Sequence, residues 1–159
     1  MQLVIKRSDG GVSIMTLLGE AAQAFEHDPE TVVRAEIAAW TQADQDAVVS
    51  WRAMPDEAIP TDRTFRGAWA DTTPEAVIDH DMPKCREIWR KKMRAARKPL
   101  IEATDTEFMR ALETGAPTAD ISTRKQALRD VTADPAIGKA KTPEELKAVW
   151  PACLVNNKG

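Results

Sequence analysis

The sequence TRKQALRDVT, residues Thr123–Thr132, has the spacing of a short amphipathic helix near the C-terminus. Leu128 and Val131 lie three residues apart, and Ile121 lies seven residues before Leu128, so all three share one helical face. Most of the other positions in the stretch are polar or charged. We therefore predict a helix over residues 119–132 that buries this face against a neighbouring element.

A second helix is predicted directly upstream, over residues 82–114. Asp81 can cap it, and Pro83 falls in its first turn, where the missing N–H costs no hydrogen bond. Because Gly115-Ala116-Pro117 predicts a turn, we expect the two helices to form an antiparallel hairpin. The apolar positions of this helix recur at spacings near three and four residues: Ile88, Trp89, Met93, Ala96, Leu100, Ile101, Phe108 and Leu112.

Prolines punctuate this C-terminal part of the chain. Pro99 is expected to kink or break the upstream helix, at a cost of about 3 kcal/mol, and the helix could restart at Thr104-Asp105. Further on, Thr142 and Glu145 form a capping box that begins a last short helix. That helix is expected to run to Trp150, because a proline follows.

The N-terminal residues 2–17 predict a β-hairpin. Both arms are rich in β-branched side chains, and Ser8-Asp9-Gly10-Gly11 between them suits the positive φ angles of a tight turn. An isolated hairpin is marginal in water. We expect this one to pack within its own domain, or to pair through an edge with another subunit.

Two helices are predicted after the hairpin. Asp28 is followed by a proline and predicts a helix over residues 28–40. Thr41, with an acidic residue three positions later, predicts the start of another helix. In that second helix, Val48 and Trp51 are expected to face inward.

Residues 59–82 contain Pro60 and Pro74, lie between Pro55 and Pro83, and predict an extended connector. Thr61-Asp62 could cap one or two helical turns within it, which would place Phe65 and Trp69 on the same side. A short strand is predicted at residues 76–78. The connector would join an N-terminal segment, 1–58, to a C-terminal helical module, 83–159.

These elements predict a mainly α-helical α+β protein with a small N-terminal β-hairpin, a C-terminal helical hairpin and an elongated outline. With 43% hydrophobic and 30% charged residues among 159, the composition is typical of a globular protein. The net charge of −3 gives no overall reason to bind nucleic acid. We expect no membrane span and no secretory signal, and therefore a protein made in the cytoplasm.

The sequence shows no pattern typical of catalysis or metal binding. It contains neither a nucleophile elbow nor a phosphate-binding loop, and His80 and Cys85 lack the paired spacing of a zinc site. We therefore expect no enzyme activity, no metal and no cofactor. Cys85 and Cys153 are expected to be small buried hydrophobes, or thiols that oxidise between subunits after cell lysis, so their disulfide state stays open.

One helical stretch is strongly basic. Its face is expected to be solvated or to meet protein, and the acidic residues within 20–48 offer a complementary surface. A phosphate-binding helix would have a similar composition, but no nucleic-acid-binding motif accompanies it and tyrosine is absent. The basic residues are Lys84, Arg86, Arg90, Lys91, Lys92, Arg94, Arg97 and Lys98.

Three motifs follow one another in about the last third of the chain, from residue 100 onward: LIEATD at residues 100–105, RKQALRDVT at residues 124–132 and VWP at residues 149–151. Together they resemble the phage tail assembly chaperone and tail-fibre-associated family, whose pattern runs roughly R..LL..TDW, YRQALRDIT and V.WP. Two aromatic positions differ, because Thr106 and Thr123 stand where the family usually has Trp and Tyr.

The resemblance implies a non-enzymatic protein of the phage tail that is assembled in the host cytoplasm, resides in the virion and contacts other tail or tail-fibre proteins. Two interpretations remain open: a structural subunit of the tail tip, baseplate or fibre in a larger assembly, and a transient chaperone absent from the particle. A third is a small nucleic-acid-binding regulator that uses residues 84–98. The candidate partner-binding residues are Phe65, Trp69, Arg124, Leu128, Arg129 and Trp150.

Overall fold

A computed structural model describes residues 1–72 and 78–157, with the backbone alone at 155–157. The described residues form two compact units, Met1–Asp81 and Met82–Gly159. The predicted fold class is confirmed: the chain is mainly helical, with a small antiparallel sheet in the first unit.

A three-stranded antiparallel sheet organises the first unit. Its central strand is β1 (Gln2–Arg7), which lies between β2 (Val12–Thr16) and β3 (Val48–Met54). The strands β1 and β2 form the predicted hairpin, and Gly10 in its turn has a φ of 78°, a conformation that favours glycine. The sheet order β2-β1-β3 means that both outer strands have one free edge within the sheet.

The third strand corrects the sequence prediction. A helix does begin after Thr41, but α3 covers only Gln42–Asp46, and Val48 and Trp51 belong to β3. This strand pairs with β1, where Trp51 stands opposite Ile5. The helix prediction was wrong beyond Asp46 because the second edge of β1 requires a partner for its backbone N–H and C=O groups.

Three consecutive side chains of β1 are fully buried: Leu3, Val4 and Ile5. Because neighbouring side chains of a strand point to opposite faces, such a run requires cover on both faces of the sheet. Leu3 and Ile5 pack with Val33, and the helices α1 (Gly19–Phe25) and α2 (Pro29–Ala38) cover this face. The carboxylate of Asp28 caps α2, as predicted, by accepting the Thr31 N–H at 3.2 Å.

The opposite face is covered by the segment that the sequence predicted to be a connector. Val4 clusters there with buried Ile59, Trp69 and Ile78. The segment contains a 3₁₀ turn at Arg66–Ala68, and another 3₁₀ turn, Asp56–Ala58, comes just before it. Its two short strands, β4 (Trp69–Ala70) and β5 (Asp79–His80), pair with each other. The connector prediction is therefore corrected: these residues complete the core of the first unit, because its sheet has two apolar faces.

An ion pair also ties this covering segment to the sheet. The Arg52 guanidinium on β3 donates to the Asp71 carboxylate at 2.7 Å, and this hydrogen bond raises the pKa of Arg52. The strand predicted at residues 76–78 falls mostly outside the described residues. Of the three, only Ile78 is described, and it is buried.

The second unit is helical. The predicted hairpin consists of α4 (Met82–Thr114) and α5 (Ala119–Asp130), joined through Gly115 at a φ of 69°. Two short helices follow, α6 (Pro135–Lys139) and α7 (Pro143–Ala148), and then a 3₁₀ segment, Ala152–Asn157. The capping box of α7 is confirmed, since the Thr142 hydroxyl accepts the Glu145 N–H at 3.1 Å.

Three details of this unit differ from the sequence prediction. The helix α4 runs without a break through Pro99, which is exposed. Its continuity follows from the packing of α4 on both sides of the proline, where Met93 and Thr104 are buried. The helix α7 ends at Ala148 rather than at Trp150, and α6 was not predicted.

Candidate protein-binding surface

The core of the second unit fixes the positions of its surface residues. The Trp89 indole N–H donates to the Val149 carbonyl at 2.8 Å, and the Trp89 and Trp150 rings meet edge to face, with centroids 5.0 Å apart. Trp150 is half-buried in this contact. The prediction that Trp150 anchors a partner is therefore revised, because much of its ring already packs within its own unit.

Phe65 and Trp69 were also predicted to anchor a partner, and the structure places both in the interior of the first unit. Phe65 is 1% exposed and Trp69 is 2% exposed. Neither ring is accessible to a partner protein. Both side chains therefore belong to the interior of this unit and not to an interface.

The predicted residues of α5 divide between the core and the surface. Leu128 is buried, so it holds α5 in place and is not available to a partner. Arg124 is exposed and donates to Glu107 on α4 at 2.6 Å, and this hydrogen bond raises the pKa of Arg124. Arg129 is exposed, and its backbone carbonyl accepts a hydrogen bond from Arg97 at 2.6 Å.

The basic face of α4 is partly engaged within the second unit. Arg86 donates to the Ala140 carbonyl at 2.8 Å, and Arg97 donates to carbonyls at the C-terminal end of α5. Arg90 and Arg94 both lie within ion-pair distance of Glu87, at 2.7 and 3.8 Å. Lys91 and Lys98 are exposed. Therefore only some of the cationic side chains on this face are directed at solvent.

A strip of partly exposed apolar side chains lies further along α4. Met109 is 57% exposed and Leu112 is 55% exposed, and these two residues are neighbours on the helix surface. Phe108 lies four residues before Leu112, and Ile101 lies seven residues before Phe108, so both lie along the same side of the helix. Both side chains are half-buried. We call this surface the apolar strip: Ile101, Phe108, Met109 and Leu112.

The surroundings of the apolar strip are charged. On one flank, Lys125 of α5 forms an ion pair with Asp105 and lies 5.9 Å from the centre of the Phe108 ring. Toward the start of the helix, a pocket of about 310 Å³ is lined by Arg94, Arg97, Lys98, Ile101 and Glu102. An apolar centre with a polar and charged rim is the usual composition of a protein-binding surface. The sequence did not distinguish this strip from the buried side of α4, because both have helical spacing.

Neither cysteine forms a disulfide within the chain, and their environments differ. Cys85 is buried within α4, whereas Cys153 is exposed. The described residues contain no group of histidine, cysteine and acidic side chains that could hold a metal ion. Among the same residues, no helix is both long and apolar enough to cross a membrane.

No family model, no curated protein and no solved structure matches this chain.

Proposed function

We propose that this chain is a non-enzymatic structural protein of a bacteriophage tail, located in the tail tip, the baseplate or a tail fibre. Its C-terminal unit would bind neighbouring tail proteins. The observation that carries the proposal is the apolar strip, because it lies on the same helix as the first of the three motifs that resemble the tail-associated family. Ile101 belongs to both.

The arrangement of the three motifs supports a common role. The LIEATD residues lie on α4, and RKQALRDVT covers most of α5 and the turn after it. The VWP residues bring Trp150 onto Trp89 of α4. All three motifs therefore lie in one compact unit. The residues that carry the resemblance help to stabilise the same module.

The hydrogen bonds made by the basic face of α4 favour protein binding over nucleic-acid binding. Nucleic acid binding depends on lysine and arginine side chains that are free to replace counterions along the phosphates. Arg86 and Arg97 instead donate to backbone carbonyls of the same unit. An apolar strip contributes little to phosphate binding but is suited to a protein partner.

Quantitative mass spectrometry of purified, salt-washed particles from the source phage tests the proposal. We expect the chain at a fixed copy number relative to the known tail proteins. Abundance in the lysate together with absence from the particles would contradict a structural role and indicate a transient assembly chaperone.

Variants of the apolar strip test whether it makes the contact. Leu112→Glu is expected to reduce incorporation into particles at least about tenfold, because a charge would lose its water in an apolar interface. Ala103→Glu is the matched control, since Ala103 is exposed on the same helix and lies neither three, four nor seven residues from any member of the strip. Equal incorporation of both variants would rule out the strip as the contact.

A further inference from the structure

One outward side of α4 changes from basic to apolar along the helix. Lys91, Arg94 and Lys98 lie three and four residues apart, so they share this side, and all three are exposed. Ile101, the first residue of the apolar strip, follows Lys98 by three residues and Arg94 by seven. The apolar strip is therefore the continuation of a row of cations. We call this set the basic row: Lys91, Arg94 and Lys98.

The basic row keeps positive charge that its own unit does not neutralise. Among the described residues, no acidic side chain forms an ion pair with Lys91 or Lys98. Arg94 lies 3.8 Å from Glu87, but the same carboxylate is closer to Arg90, at 2.7 Å. The two lysines are therefore the charges that remain for a partner.

The pocket of about 310 Å³ lies where the basic row meets the apolar strip, because its lining includes Arg94, Lys98 and Ile101. Its other two residues are Arg97, which donates to a carbonyl of α5, and the exposed Glu102. One carboxylate thus stands beside three cations, and the lining stays positively charged. A partner side chain that enters this pocket meets apolar surface with cations at its rim.

The spacing along this side of α4 suits a helical partner, since positions that alternate by three and four residues form the seam along which two helices pack. A second copy of α4 does not complement this seam. In a parallel pair, each basic row would face the other basic row. In an antiparallel pair, it would face the apolar strip, where its charges would lose water without gaining a partner. A helix that is acidic in one half and apolar in the other complements both halves of the seam.

We propose that this side of α4 binds an amphipathic helix of a partner protein, with acidic side chains against the basic row and apolar side chains against the apolar strip. Lys91 and Lys98 form charge-assisted contacts with the acidic half. Ile101 and Leu112 are covered by the apolar half. The inference rests on the proposed function, because it names the chemistry of the partner that the apolar strip contacts.

A helical peptide of about 22 residues, which matches α4 from Lys91 to Leu112, is the probe for the full chain. It carries glutamate opposite the basic row, leucine opposite the apolar strip and glutamine opposite Asp105, with alanine and lysine elsewhere. Glutamate in its first half also suits the positive end of the peptide's own helix dipole. The methyl signals of Ile101 and Leu112 and the amide signals of Lys91 and Lys98 are expected to shift together when the peptide binds.

A control peptide with glutamine in place of every glutamate measures the contribution of charge. It is expected to bind about tenfold more weakly at low ionic strength, because it loses the charge-assisted contacts. The difference between the two peptides is expected to shrink as the salt concentration rises, since salt screens exposed charges.

A pair of double variants locates the charges on the chain. Lys91→Gln with Lys98→Gln is expected to weaken binding of the acidic peptide about tenfold and to leave binding of the control peptide nearly unchanged. Lys139→Gln with Lys141→Gln removes the same charge from two exposed lysines of the second unit outside α4, and is expected to leave binding of both peptides unchanged.

Four results would overturn the proposal. The first is no shift of any signal at about 1 mM acidic peptide. The second is equal binding of the two peptides by the unmodified chain. The third is equal binding of the acidic peptide by the two double variants. The fourth is a duplex DNA that shifts the lysine amide signals at a lower concentration than the acidic peptide does and leaves the methyl signals of the strip in place, which would assign the basic row to nucleic acid.

The proposed function can fail separately from this inference. Absence of the chain from purified particles would contradict the role in the tail, whereas the peptide measurements do not depend on particles. Conversely, loss of Leu112→Glu from particles together with equal binding of the two peptides would retain the apolar strip as the contact and reject the acidic helix as its partner.

Discussion

Trp89 connects α4 to the end of the second unit through a hydrogen bond to Val149 and a ring contact with Trp150. Replacing it with phenylalanine keeps much of the apolar ring but leaves the Val149 carbonyl without its donor. Trp89→Phe is therefore expected to lower the free energy of unfolding by about 1–2 kcal/mol, measured by chemical denaturation. Trp40→Phe is the control, because no described residue accepts a hydrogen bond from the Trp40 indole. Equal losses in both variants would mean that ring volume, and not the hydrogen bond, sets the effect.

Asp44 provides a pH-dependent contribution in the first unit. Its pKa is lowered from 3.8, first by the hydrogen bond from the Thr41 hydroxyl and then by the hydrogen bond from Arg7. Because the folded pKa is the lower one, ionised Asp44 stabilises the fold above the unfolded pKa, and this contribution is lost as the pH falls through the folded pKa. The side-chain ¹³C signal of Asp44, followed from pH 6 to pH 2, is expected to titrate below about 3.8.

The control for this titration is Thr41→Val, which removes the larger cause of the shift. The pKa of Asp44 is expected to rise in this variant, and to rise less in Arg7→Met. A larger rise in Arg7→Met would contradict the order of the two causes. An unchanged pKa in both variants would show that neither contact holds the ionised form.

At the scale of elements, Arg97 joins the two helices of the C-terminal hairpin. It lies on α4 and donates to the Arg129 carbonyl at the end of α5 at 2.6 Å, where the last carbonyls of a helix lack partners within it. Arg97→Met keeps the apolar stem but removes the donor, and is expected to lower the free energy of unfolding by about 1–2 kcal/mol. Lys98→Met, one residue further on an exposed position, is expected to change it by less than about 0.5 kcal/mol. Equal effects in thermal or chemical unfolding would contradict the capping role.

Replacing Pro99 tests whether this proline strains α4. The ring removes one backbone hydrogen bond of the helix, and alanine at this position would restore it. Pro99→Ala is expected to raise the free energy of unfolding by about 1–3 kcal/mol, with Lys98→Ala as an exposed control without a backbone effect. A loss of stability would contradict the strain assigned to the proline.

The sequence predicted elements that carry their own local signals, and it missed those that depend on distant partners. Asp28 before a proline and the capping box at Thr142 each specified the start of a helix, and both starts were correct. Val48 and Trp51 were assigned to a helix because their strand exists only through pairing with β1. Trp69 was assigned to a surface for the same kind of reason, since its burial depends on Val4, far away in the sequence.

At the scale of the whole molecule, the division into two units has a direct consequence. The second unit has its own buried residues on each of the four α-helices that the structure describes there: Met93 on α4, Leu128 on α5, Ile137 on α6 and Leu146 on α7. A segment as short as residues 82–159 can fold alone when its apolar side chains are covered, although its core supplies only about 3–5 kcal/mol of free energy of unfolding. We therefore expect residues 82–159 to fold in the absence of the first unit.

Circular dichroism and amide spectra of the fragment 82–159 provide the measurement. The expected result is a helical spectrum, a cooperative thermal transition and dispersed amide signals.

In the fragment, Leu146→Ala is expected to lower the free energy of unfolding by about 2–5 kcal/mol, because Leu146 is fully buried. The control Met109→Ala changes an exposed apolar residue of the strip and is expected to have a much smaller effect. A fragment without a cooperative transition would show that the core of the second unit is insufficient by itself. Equal effects of the two variants would contradict the distinction between a buried core and an exposed apolar strip, on which the proposed partner contact depends.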